Sequence, residues 1–102
     1  MPKGYWIGRV DVVDADAYRN YVAANAEPFA RFGAKFLVRG GPFECVEGEA
    51  RERNVVIEFP SLEAARSCYN DPAYQRAKSL RAGASDTDII VIEGYDGPQP
   101  GE

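Results

Sequence analysis

Between Val55 and Leu62 the sequence changes from strand chemistry to helix chemistry within two residues. Val55, Val56, Ile57 and Phe59 are β-branched or aromatic and suit a pleated, half-buried strand. Pro60 has no N–H and stops the ladder, and Ser61 is a good N-cap for a helix from Leu62. The same order recurs near the N-terminus, where Asp14-Ala15-Asp16-Ala17-Tyr18-Arg19 follows a strand as Ser61-Leu62-Glu63-Ala64-Ala65-Arg66 follows this one. A chain built from two such strand-to-helix junctions must stack helices on a sheet.

The remaining elements follow from periodicity. Gly4 to Val13 alternates Tyr5, Ile7, Arg9 and Asp11 against Trp6, Gly8, Val10 and Val12, which predicts a first strand with one mixed and one apolar face. Asp14 caps a helix expected from Ala15 to about Phe32, with Tyr18, Tyr21, Val22 and Phe29 as its apolar stripe. Pro28 should kink that helix, and Gly33 ends it. Ala34 to Arg39 reads as a second strand, with Phe36 and Val38 opposite Lys35, Leu37 and Arg39. Alternation resumes over Phe43–Glu47, so Gly40-Gly41-Pro42 reads as a bulge or bend within one long strand rather than its end. After the Ser61 helix, Asp71 and Pro72 start a further helical segment carrying Tyr74, Ala77, Lys78 and Arg81 on one face, which Gly83-Ala84-Ser85 ends. Asp88 to Tyr95 is a last, strongly apolar strand.

Strand, helix, strand, strand, helix, strand is the ferredoxin-like βαββαβ plan, an α+β fold with a four-stranded antiparallel sheet and its helices on one face. The third and fourth strands are apolar at consecutive positions, so both faces of the sheet call for burial, while the helices cover only one. A homodimer packed through the sheet face meets that need. Residues 1–95 form the single expected domain, and the Pro/Gly-rich stretch 96–102 a C-terminal tail.

Composition narrows the chemistry. A net charge of −4 and the lack of a Lys/Arg block argue against a phosphate-backbone binder, so no nucleic acid partner is expected. Neither a leader nor a membrane span is read in the sequence, so a cytoplasmic location with no membrane partner is expected. Cys45 and Cys68 lack CxxC spacing and read as reduced thiols. There is no histidine, which removes the commonest metal and haem-iron ligand and the usual base near neutral pH. No metal or cofactor is expected.

The run Phe32-Gly33-Ala34-Lys35-Phe36-Leu37-Val38-Arg39-Gly40-Gly41, then Arg53 through Ser61, then Tyr69, Tyr74-Gln75 and Arg81, closes with Val91-Ile92-Glu93-Gly94-Tyr95. Together these resemble the small bacterial proteins grouped as domain of unknown function 1330, in the dimeric α/β-barrel superfamily. The resemblance implies a ferredoxin-like dimer and no particular reaction. More distant members of that superfamily include antibiotic-type quinol monooxygenases, haem-degrading enzymes and muconolactone isomerases. The lack of histidine speaks against a histidine-ligated haem here.

Several polar residues are candidates for chemistry. Asn25 sits on the apolar face of the first helix and either bonds a carbonyl near Pro28 or faces a ligand. Arg39, beside two glycines, can present its planar fork to an anion, or pair with Glu58. Arg81 and Tyr74 share a helical face and could supply further ligand contacts. Glu58 interrupts an apolar strand; it is either an ion-pair partner or a general base, with Tyr69 or Tyr5 as proton donor. Two functions compete: a cofactor-independent enzyme, isomerase-like or monooxygenase-like, acting on a small anionic or carbonyl compound through Glu58, Arg39 and Tyr69, and a non-catalytic small-molecule-binding or structural homodimer. Convergence of Asn25, Arg39 and Arg81 on one pocket would support a ligand in either case.

Overall fold

A computed structural model describes residues 2–102. Its elements are β1 (Gly4–Val12), α1 (Ala15–Arg31), β2 (Lys35–Arg39), β3 (Arg53–Phe59), α2 (Leu62–Asn70), α3 (Pro72–Ser79) and β4 (Ser85–Glu93). The strands form one antiparallel sheet in the order β2-β3-β1-β4, as the ferredoxin-like plan requires. Asp14, Ser61 and Asp71 cap the three helices through their side-chain oxygens, and Pro72 occupies the first turn of α3. α1 runs through Pro28, and Gly33 at φ +75° turns the chain out of it.

Trp6, Phe29, Ile57, Phe59, Ala65, Cys68 and Tyr74 make the core between sheet and helices. The small side chains Ala65 and Cys68 let α2 lie close on the sheet, and Trp6 Nε1 donates to the Ala65 carbonyl at 2.8 Å. α1 instead reaches the sheet through large rings, Phe29 meeting Trp6 edge-on at 5.2 Å and Phe36 at 5.7 Å. That stand-off opens space between α1 and the strands.

Several local expectations fail. The sheet does not continue past Gly40: residues 41–52 form no strand, and Phe43 and Val46 are exposed. Gly40 adopts φ +68°, and its N–H donates to the Asn54 carbonyl as the last bond between these strands. Pro42 then withholds the donor that a continued ladder would need. The bulge lies earlier, between Phe36 and Val38, and shifts the register by one. Phe36 pairs with Ile57 and Arg39 with Val55, so both point to the helix side, while Lys35 and Val38 point away. Arg39 therefore shares a face with Phe36, against expectation, while Val38 stays opposite Arg39 and Phe36 opposite Lys35. β4 also starts earlier than Asp88, at Ser85, and α3 ends at Ser79 rather than near Gly83.

The outer face carries Val38, Val56, Ile7 and Ile90 in a continuous row across all four strands, with Ile92 beside it. Ile90 is 53% exposed and Val38 44%. Beyond β4, the Tyr95 hydroxyl donates to the Pro98 carbonyl at 2.8 Å, and the tail turns on itself. No described helix is long and apolar enough to cross a membrane.

Candidate functional site

The space left by α1 is a cavity of about 40 Å³. Trp6, Phe29, Phe36, Val55, Ile57 and Ile89 form its apolar depth, and Gly8 lies on its floor. Its mouth is at the sheet end where β2 finishes and β3 and β4 begin. There Arg53 and Thr87 flank Val10 in one cross-strand row, and Arg39 stands beside Val55. Tyr18 and Tyr21 reach over from the first turns of α1, and Arg81 from the turn after α3. Asn25, one to two turns further along α1, faces the interior and is 6% exposed.

The arginines are held by aromatic faces. Arg39 Cζ lies 4.1 Å from the Phe36 ring centre, Arg81 Cζ 4.9 Å from Tyr21, and Arg53 Cζ 6.0 Å from Tyr18. Behind them the Tyr21 and Tyr74 hydroxyls are 2.7 Å apart, and Arg81 Nη2 donates to the Tyr74 oxygen at 3.5 Å. Burial raises the Tyr74 phenol well above its ordinary range, with Tyr21 adding to the effect, so it stays a protonated donor. Tyr18 is raised for the same reason, burial first and the neighbouring Tyr21 next. Gly40 leaves room for this arrangement: a Cβ there would lie 2.7 Å from Arg53 Nη1. Nε of Arg53 and Nε of Arg81 are both buried without a hydrogen-bond partner.

Asn25, Arg39 and Arg81 thus converge, as the ligand readings require. Tyr74 stands behind the lining and positions Tyr21 and Arg81. Glu58 does not join them. It pairs with Tyr5 and Lys35 across the strands, on the outer face, and its carboxylate lies 3.7 Å from Lys3 Nζ. The register therefore rules out both the Arg39–Glu58 pair and a Glu58 base in this cavity. Tyr69 also lies outside the lining, accepting from Lys78 Nζ at 2.8 Å beside β4, and Tyr5 is on the outer face. Arg53 was missed as a site residue. The period of two ties it to the face of Val55, Ile57 and Phe59, and the pairing of Ile57 with Trp6 makes that the helix-facing side.

Of the cysteines, Cys45 is exposed and Cys68 buried, and burial pushes the Cys68 thiol up to about 12. Among the described residues no group of His, Cys, Asp and Glu is placed to hold a metal ion.

A family model described as domain of unknown function (DUF1330) matches residues 3–95. The chain belongs to this family. No curated protein matches the DUF1330 chain. Among solved structures it is similar to a protein of unknown function from Rhodopseudomonas palustris, with 22% identity, a TM-score of 0.75, and coverage of 94% of this chain and 85% of that one. It is also similar to SnoaB, a cofactor-independent oxygenase from Streptomyces nogalater, with 14% identity, a TM-score of 0.63 and full coverage of both chains. A dimeric ferredoxin-like protein of unknown function from Thermobifida fusca has 14% identity, a TM-score of 0.60, and coverage of 90% and 91%. At these identities the likenesses establish the shared ferredoxin-like fold.

Proposed function

We propose that the cavity between α1 and the sheet binds a small organic anion with a compact apolar body. The observation that carries this reading is the charge of the lining: three arginines and, among the described residues, no carboxylate, in a chain whose net charge is −4. Structural arginines normally meet a carboxylate, as Arg31 meets Asp71 and Arg51 meets Asp11 and Asp88 in this protein. Arg39, Arg53 and Arg81 lie over aromatic faces instead, and the guanidinium N–H groups beyond the one Arg81 gives to Tyr74 suit a planar anion. The cavity holds about three waters at ~10–15 Å³ each, so a ligand body is limited to a few heavy atoms. Asn25 offers a polar contact inside.

The reading is one of binding. Turnover is a second reading, favoured by the Tyr21–Tyr74 hydrogen bond beside Arg81, through which a protonated phenol could stabilise charge on a carbonyl oxygen. Such an enzyme would need no cofactor, in the manner of the oxygenase that shares the fold. The lining holds no carboxylate or histidine base, so the substrate would have to arrive as an anion or enolate.

The outer-face row Val38-Val56-Ile7-Ile90, exposed at Val38, Ile7 and Ile90, supports a homodimer through the sheet face, because it would otherwise leave an apolar stripe in water. The dimer leaves the cavity on the opposite side of each sheet.

The binding reading is tested by thermal denaturation with short carboxylates and their neutral amides. A carboxylate at 100 times its dissociation constant stabilises by about 2.7 kcal/mol. For a chain of this size that raises Tm by on the order of 10 °C. Amides should give no rise, and equal rises for acid and amide would overturn the reading.

A further inference from the structure

Two of the three arginines at the mouth differ from the third. Arg39 is exposed at the rim, where water solvates it, while Arg53 and Arg81 are half-buried and each carries an Nε–H with no partner. They come from opposite sides of the cavity, Arg53 from the start of β3 and Arg81 from the turn over Thr87. Arg53 and Thr87 are separated by β1, about 10 Å apart at a strand spacing of ~4.8 Å. Tyr18 stands between, its phenol acted on by the charges of both. A monocarboxylate would neutralise one of the two half-buried charges and leave the other uncompensated in a largely apolar cleft, which is the costly arrangement.

We infer that the ligand is a dianion, a short dicarboxylate whose two carboxylates engage Arg53 and Arg81 separately while its carbon chain lies over Gly8. The inference rests on the anion reading above. Each carboxylate then meets one guanidinium, and a small shift of that side chain brings its buried, unpartnered Nε–H into the fork with a terminal N–H. Thr87 and the Tyr18 and Tyr21 hydroxyls supply further donors around the mouth. A phosphate monoester carries similar charge but suits the site less. Its usual helix N-terminus is taken, because Asp14 already accepts from the N–H groups of Asp16 and Ala17 at the start of α1.

Calorimetric titration with butyrate, succinate and inorganic phosphate separates the outcomes. Butyrate and succinate share a chain length and differ in the second carboxylate. Succinate is expected to bind at least about tenfold tighter than butyrate, equivalent to about 1.4 kcal/mol. In Arg81→Gln that ratio should fall towards one, whereas Arg39→Gln should weaken both ligands alike and leave the ratio unchanged. Equal binding of butyrate and succinate to the unmodified protein overturns the dianion but leaves the anion reading standing. Phosphate binding tighter than succinate overturns the dicarboxylate in favour of a phosphoryl ligand. Failure of all three at millimolar concentration overturns both readings. The comparison in the unmodified protein needs no variant, so a poorly folding Arg81→Gln does not protect the inference.

Discussion

Gly8 offers a sharp separation of stability from binding. It sits buried in the middle of β1, where glycine costs roughly 0.5–1 kcal/mol relative to alanine. Its backbone is outside the positive-φ region, and a Cβ built there would meet only Ile89 Cγ1 at 3.7 Å, an ordinary van der Waals distance. Gly8→Ala should therefore be accommodated without strain, and the added methyl, buried on the cavity floor, contributes up to about 0.8 kcal/mol more. The sum is about 1.5 kcal/mol. With an unfolding entropy of about 2.1 cal/mol/K per residue, this raises Tm by about 7 °C in differential scanning calorimetry. The same methyl occupies space assigned to the ligand. One methylene of misfit in a tight pocket is worth about 1–3 kcal/mol, so succinate should bind at least about tenfold more weakly. Higher stability with lost binding is the signature of a glycine kept for its ligand. A stabilised Gly8→Ala that binds as before would refute the placement of the ligand over Gly8, and a destabilised one would refute the packing argument.

Further outcomes follow from the rest of the molecule. A thiol-reactive dye at pH 8 should label Cys45 quickly and Cys68 only on unfolding, because burial holds Cys68 as the thiol; two rapidly labelled cysteines would contradict the core. Hydrogen bonds from Arg31 hold the Asp71 carboxyl below the usual carboxylate range. Its contribution is thus complete above about pH 4, the unfolded value, and is lost as pH falls through the lower folded value. Asp71→Asn should flatten the acid limb of a stability-versus-pH curve below about pH 4, and an unchanged limb would show that the pair contributes nothing. Ile7→Lys places a charge in the centre of the outer apolar row, so a protein that is dimeric at micromolar concentration by light scattering should become monomeric. A dimer that survives this change does not use that face.

Much of the architecture is legible in local chemistry. The caps at Asp14, Ser61 and Asp71 and the alternation of β1 are short-range signals, and they set the order and the helix-facing side of the first strand. Asn25 is legible for the same reason, as a polar residue on a helical stripe that is otherwise apolar. What the local pattern does not carry is the face of β3. Val55, Val56 and Ile57 are apolar in succession, so periodicity alone cannot say whether Glu58 or Arg53 turns towards the helices; pairing with Trp6 and Tyr5 decides it in favour of Arg53. The bulge in β2 is also non-local. It exists because Phe36 must meet Ile57 while Arg39 meets Val55, and a reading that places the irregularity at the glycines puts Arg39 on the wrong side. The exposed alternation of Phe43 to Glu47 resembles a strand but has no neighbour to pair with.

The central claim is that the mouth arginines hold an organic anion, and the Nε–H groups of Arg53 and Arg81 report on it directly. Nitrogen-15 NMR of the arginine side chains during a succinate titration should show these two resonances moving strongly and gaining protection from exchange. Arg31 and Arg51, already paired with carboxylates, should stay where they are. Shifts spread over exposed arginines such as Arg66 and Arg76, with Arg53 and Arg81 unmoved, would contradict the account.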